Sequence, residues 1–163
     1  MAKKFELTAE FVTNIFGNKL FRIKALMAFG DVKEGELGGY VEKEENLDHD
    51  GDAWVSGNAQ VSGDARVYGD AWVSGNARVY GNAEYTTIKG FGRECRTTTF
   101  FRLKNGEVGV RCGCFYGTIE QFREKVQETH RDSKYAKEYL MIADLMELHF
   151  EREEKRGGGV DGD

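Results

Sequence analysis

Three cysteines, three histidines and a run of arginines are the side chains through which this 163-residue chain could do chemistry. Cys112-Gly113-Cys114 places two thiols on the same side of an extended strand. Cys95 and His130 could complete a tetrahedral zinc site with them. Such sites are ordinarily built from better-separated pairs, so cysteines held in the core are the favoured expectation, and no metal or cofactor is assigned. An odd number of cysteines also favours reduced thiols over a disulfide framework.

The segment Lys89 to Arg111 holds six basic residues against two acidic ones. Arg93, Arg96, Arg102 and Arg111 are interleaved there with Phe91, Phe100 and Phe101. Guanidinium groups beside aromatic rings can hold a phosphate and stack a base; the plainer alternative is solvated charge on a hairpin. On a strand, Arg102 shares a face with Phe100, and Arg111 alternates with the cysteines. The whole chain carries a net charge of -5, which argues against a general duplex-DNA binder. The carboxylates of Glu42–Asn46 and Glu151–Glu154 read as solvated charge runs. Gly90-Phe91-Gly92-Arg93 lacks the strand, helix and lysine of a phosphate loop.

These side chains must be positioned by the elements around them, and the clearest is a repeat. From Gly51 to Ala83 the chain reads Gly-Asp/Asn-Ala-x-Val-x with little variation, in hexads beginning at Gly51, Gly57, Gly63, Gly69, Gly75 and Gly81. The third and fifth residues of each hexad point to one side of a strand, so alanine and valine face inward and the residue between them outward. Gly followed by Asp or Asn supplies a corner. Three strands and three corners close a triangle, so residues 18 apart stack. Trp54 then lies on Trp72, Gln60 on Arg78, Arg66 on Glu84 and Ser62 on Tyr80. Such a coil needs caps, because each repeat buries its face only against neighbours.

The flanks supply them. Phe11–Phe16, a Gly17-Asn18 turn and Lys19–Leu26 read as a hairpin. Val41, Leu47 and Ala53 then lead into the coil as an irregular first turn. Thr97–Leu103, a turn with Asn105-Gly106 at its tip, and Val108–Phe115 form a second hairpin. Thr118 with Gln121 makes a capping box ahead of a helical stripe of Ile119, Phe122 and Val126. A last helix from about Ser133 aligns Tyr135, Tyr139, Ile142, Met146 and Phe150. The expected organisation is mainly β with C-terminal helices: an N-terminal hairpin and leading coil (1–46), a repeat coil (47–88), a hairpin with two helices (89–152) and a disordered charged tail (153–163). No apolar stretch approaches the ~20 residues that span a bilayer, and Met1-Ala2-Lys3-Lys4 opens no signal core, so a cytosolic protein is expected.

The hexads resemble the hexapeptide repeat of left-handed parallel β-helices, which implies a short coil of about two to three turns. The leading segment, the coil and the hairpin-helix end together resemble a recurrent type of small phage and prophage protein. That resemblance implies a viral or mobile-element origin and action in the cytoplasm of a bacterial host, and it transfers no catalytic residue. The best known users of the hexapeptide coil are acyltransferases, in which a histidine serves as base on the acceptor. Here no hexad contains histidine, no loop interrupts the coil, and His49, His130 and His149 all lie outside it. A non-enzymatic protein is therefore expected.

Two surfaces remain. The Trp54–Trp72 ladder is a large apolar area that either a flanking segment or a partner must cover. The second is the basic stretch. The candidate binding residues are Trp54, Trp72, Arg78, Arg93, Arg96, Arg102 and Arg111. The favoured expectation is an accessory protein that binds a host factor, with countering bacterial immunity as one role for it. The alternative is an oligomer that sequesters a small anionic or nucleotide ligand. A homo-oligomer is expected in either case, through stacking of coils at an uncapped end.

Overall fold

The computed structural model describes residues 3–94 and 96–151; Cys95 and the tail 153–163 discussed above lie outside the described residues. The chain opens on an antiparallel hairpin, β1 (Phe5–Thr13) and β2 (Lys19–Ala25), followed by β3 (Leu37–Val41). Its loop is longer than the Gly17-Asn18 turn expected. Asn14 closes it by accepting, through Oδ1, the backbone N–H groups of Phe16 and Asn18, each at 2.9 Å. A bulge interrupts the β1–β2 pairing between Leu7 and Phe11.

The repeat builds four two-residue strands, β4 (Trp54–Val55), β5 (Gln60–Val61), β6 (Trp72–Val73) and β7 (Arg78–Val79). Trp54 pairs in parallel with Trp72 and Val55 with Val73, while Gln60 pairs with Arg78 and Val61 with Val79, the 18-residue stacking expected of the hexads; the third face carries only the bridge of Leu47 to Val67, so the expected closed triangle of three strands per turn does not form among the described residues. The leading turn is two residues longer: Val41 pairs with Val61, and Leu47 bridges Val67. Asp48 N donates to Val67 O, whereas Asp52 N already donates to Gly69 O in the regular spacing, so the extra residues sit in the corner between Asp48 and Asp52.

Alanine and valine fill the interior as the pattern demands; Ala53, Ala59, Ala71, Ala77, Val55, Val61, Val73 and Val79 are fully buried. The sixth hexad departs from the rest. Ala83 is exposed, and Gly81 has an extended backbone where the five earlier corner glycines have φ between +64° and +75°. A Cβ on Gly63 would also stand 2.4 Å from Tyr80 O, while one on Gly81 meets nothing within 4 Å. Gly63→Ala is therefore expected to destabilise the fold by about 1–3 kcal/mol. Gly81→Ala should stay within about 0.5 kcal/mol of the parent. Urea unfolding midpoints of the two variants check this.

Past a single 3-10 turn at Asn82–Glu84 come β8 (Tyr85–Phe91), β9 (Arg96–Arg102), β10 (Val108–Cys112) and β11 (Phe115–Thr118), then helices α1 (Ile119–His130) and α2 (Lys134–Phe150). The four strands form one antiparallel sheet in the order β11-β10-β9-β8. The hairpin expected at Thr97–Phe115 is thus its middle, extended by a strand on each side. Thr118 Oγ1 accepts from Gln121 N, and Gln121 Oε1 accepts from Thr118 N, which is the capping box the sequence implies.

Strand β9 is a shared wall. Phe100 packs with Val110, Phe122, Tyr139 and Ile142 in a core under the helices. Phe101, pointing the other way, packs with Tyr85, Leu103 and the inward alanines and valines of the coil. Leu103 bridges Ala77, and Lys104 N donates to Asn76 O, so this sheet covers one end of the coil. At the other end β2 pairs with β3, while Phe5, Ile23 and Val32 close the interior.

The body therefore differs from a free-standing coil. On one side, the N-terminal hairpin and the coil strands merge into a mixed sheet, β1-β2-β3-β5-β7. Both ends of the coil are covered by the chain itself, so the uncapped end on which end-to-end stacking was expected is not found among the described residues. No helix among the described residues is long and apolar enough to cross a membrane.

Candidate anion-binding pocket

The seven residues singled out from the sequence separate into two groups. Trp54 is fully buried: Phe29 lies edge-on to it at 5.3 Å, and the backbone of Gly38 passes so close that a Cβ there would be 2.7 Å from the indole. Trp72 is half-buried, donates from Nε1 to Ser56 Oγ at 2.7 Å, and carries the Arg111 guanidinium over its ring at 4.2 Å. The ladder exists, but the chain covers it, and the expectation that Trp54 contacts a partner is corrected.

Arg78 donates to the carbonyls of Asn58, Asn76 and Ala77, tying the coil's own corners. Arg102 pairs with Glu84 at 3.2 Å, donates to Phe150 O at 2.9 Å and lies over the Phe150 ring. It joins the sheet, α2 and the junction turn. Arg111 donates to Gly113 O, and burial lowers its pKa from the usual arginine value. These three arginines serve packing.

Arg93 and Arg96 do something else. They stand at the mouth of a cavity of about 450 Å³ enclosed by the β8–β9 connection, β10, β11 and both helices. Its wall holds Phe115, Phe122, Val126 and Tyr139, with Lys125, Thr129, His130, Glu94 and Cys112 completing it. Both arginines are exposed, and among the described residues neither makes an ion pair, whereas Lys125 pairs with Glu128 at 3.2 Å. Arg93 also lies over the Tyr135 ring at 5.7 Å.

The deeper part of the cavity is aromatic. The His130 ring stacks on Tyr139, centroids 5.8 Å apart, and Phe122 meets Tyr139 edge-on at 5.7 Å. Tyr139 donates its hydroxyl to Phe91 O at 3.1 Å. Burial, reinforced by the Cys112 thiol, pushes its pKa up to about 12, so it stays a neutral phenol. Thr98 Oγ1 donates to Cys112 Sγ at 3.2 Å. A planar, partly apolar ligand with a negative end would find rings below and guanidinium groups above.

With this geometry in view, residues 59–75 and 71–83 match the family described as YdcK Beta solenoid repeat. That stretch is a β-solenoid-type repeat. The match covers the repeat from its second hexad onward; the sheet and helices that build the cavity lie beyond it. No curated protein matches the sequence. In this chain the solenoid is the foundation and the pocket is housed in the module that closes its end.

The solenoid has a second polar cluster, at its enlarged corner. Lys4 is buried, donates to Ala53 O at 2.7 Å and to Gly51 O at 3.3 Å, and lies over the Phe29 ring. Burial lowers its pKa, opposed by Asp48, Asp52 and Asp50. His49 Nδ1 accepts from Lys4 N at 3.1 Å, so Nε2 carries the proton and donates to Glu44 Oε1 at 2.9 Å. Hydrogen bonding to His49 holds the Glu44 carboxyl below its usual range. With both ring nitrogens engaged and Phe5 stacked on its face at 4.4 Å, His49 pins the first strand to the corner.

Sequence reasoning singled out Arg93 and Arg96, named Cys95, Cys112, Cys114 and His130 as possible zinc ligands, and favoured cysteines held in the core. The structure brings Arg93, Arg96, Cys112 and His130 to one cavity, while Cys114 is exposed and Cys112 half-buried, which corrects the expectation of core cysteines. Among the described residues no group of three or more His, Cys, Asp or Glu is placed to hold a metal. Phe115, Phe122, Lys125 and Tyr139 were missed as pocket residues. Their helical and strand periodicity marks them as core or surface, and only the tertiary fold turns them toward a common space.

Proposed function

We propose that the protein is a non-enzymatic binding protein whose C-terminal module takes a small anionic ligand with a planar ring, a nucleotide being the class that fits. The observation that carries this reading is the cavity itself: two arginines without carboxylate partners among the described residues stand over a floor of Phe115, Phe122, His130 and Tyr139. Charge-assisted bonds from Arg93 and Arg96 would hold the phosphate, and the rings would bury the base. Burial of Trp54 weakens the rival reading, in which the tryptophan ladder is the docking face for a host protein.

The hexad grammar supports a left-handed coil. The resemblance to small phage and prophage proteins supports a role in the cytoplasm of a bacterial host, where capturing a nucleotide signal would blunt an immune response. The test is calorimetric titration of the purified protein with a panel of mono-, di- and cyclic nucleotides. At least one is expected to bind, and Arg93→Glu with Arg96→Glu should weaken it by ~100-fold or more, from ~1.5–3 kcal/mol per charge-assisted bond. Lys89→Glu, at an exposed residue paired with Asp70, should leave affinity unchanged. No binding across the panel, or binding indifferent to the arginines, overturns the reading.

A further inference from the structure

The buried face of α2 is satisfied by Tyr139, Ile142, Met146 and Phe150, but its opposite face is not polar throughout. Met141, Leu145 and Leu148 are 72%, 53% and 66% exposed. Spaced four and then three residues apart, they form one stripe along the helix. Three large apolar side chains in line on one exposed helix face are an unpartnered surface, unlike isolated apolar residues scattered over a protein.

The charges at the two ends of this stripe identify its occupant. Lys134 and Lys137 precede it and Glu151 follows it; all three are exposed, and none forms an ion pair among the described residues. The nearby acids Asp144 and Glu147 are already engaged, both by Arg123, at 2.7 and 2.8 Å. The stripe is therefore basic at its start and acidic at its end. Such a surface is complementary to itself when reversed. Parallel pairing would set lysine against lysine; antiparallel pairing sets lysine against glutamate.

We propose that two copies of this chain associate through α2, antiparallel about a twofold axis near Leu145. Met141 of each copy packs on Leu148 of the other, and Lys137 of each pairs with Glu151 of the other. A twofold axis perpendicular to both helices keeps residues from one side of the stripe on that same side in both copies. Lys137 and Glu151 lie on one side of the line through Met141, so they meet. This isologous arrangement closes after two subunits and leaves both covered ends of the solenoid uninvolved.

The experiment is analytical ultracentrifugation of the whole chain across a range from about 1 to 100 µM, a span suited to a small interface. The parent protein is expected to approach twice the 18.4 kDa chain mass. Leu145→Glu should shift dimerisation beyond the range, with the parent's unfolding midpoint when the two are compared at a concentration where both are monomeric, because the side chain is exposed. Lys137→Glu and Glu151→Lys should each weaken the dimer about tenfold, and the two together should restore it, an exchange only this register rewards. A parent protein monomeric at 100 µM, an assembly indifferent to Leu145→Glu, or charge reversals without mutual rescue overturns the proposal.

Discussion

Phe101→Ala is expected to lower the free energy of unfolding by about 3–5 kcal/mol, the cost of deleting a fully buried phenylalanine and leaving a space its neighbours cannot fill. Phe101 has no exposed surface and lies in the same core as Ala77, Val79, Tyr85 and Leu103. The Tyr116 ring stacks 6.4 Å from it and a Cβ on Gly109 would lie 2.6 Å from its ring, while Tyr85 pairs with it from the other side, so it is enclosed within the middle of the sheet. It is also where the solenoid interior ends. Its loss should separate the unfolding of the solenoid from that of the helical module, seen as a broadened or two-step urea transition by circular dichroism. Phe100→Ala, one residue away, is expected to cost a similar amount but to loosen the helices, because Phe100 faces Phe122 and Val110. A loss below about 1 kcal/mol for Phe101→Ala would mean that the sheet does not close the coil.

The second large effect concerns the tryptophans. Trp54→Ala should cost about 3–5 kcal/mol and Trp72→Ala distinctly less, although the two occupy equivalent positions one turn apart. Trp54 is enclosed by Phe29 and Gly38, whereas Trp72 keeps an open side beneath Arg111. Trp54→Phe refines the test: its Nε1 is buried with no hydrogen-bond partner, so this substitution removes an unsatisfied donor along with some volume. It should cost much less than the alanine variant. Equal and small losses at Trp54 and Trp72 would return the ladder to the surface and revive its candidacy as an interface.

The coil was legible because its information is local. Each hexad states its own corner and its own inward pair, and the 18-residue pairing of Trp54 with Trp72 and Gln60 with Arg78 follows from counting. The Thr118 capping box was legible for the same reason. The two-residue enlargement between Asp48 and Asp52 was not, because Asp-His-Asp-Gly-Asp reads as a corner at any length; its purpose is visible only when Lys4 and His49 meet across it. Strand β8 was missed because Tyr85 continues the hexad count, and the break is announced only by the backbone of Gly81 and the exposure of Ala83.

The pocket was half legible. Arg93 and Arg96 could be chosen on charge alone, but so were Arg78, Arg102 and Arg111, whose charges are spent on carbonyls, a glutamate and an indole ring. A guanidinium looks the same in sequence whether it holds a neighbour or awaits a ligand. What distinguishes them is the partner list that folding supplies.

A parallel ladder that repeats every turn is a template: its last rung offers the next chain the same hydrogen bonds it offered its own, and identical rungs invite fibres. The β7 end is occupied by Leu103 and Lys104, but β1 remains the free edge of the mixed sheet. There the bulge between Leu7 and Phe11 breaks the register, and Glu6 and Glu10 add charge along the edge. A strand arriving from another molecule would find neither a straight row of donors and acceptors nor a neutral surface. The hairpin that begins the chain thus also keeps a self-similar protein finite.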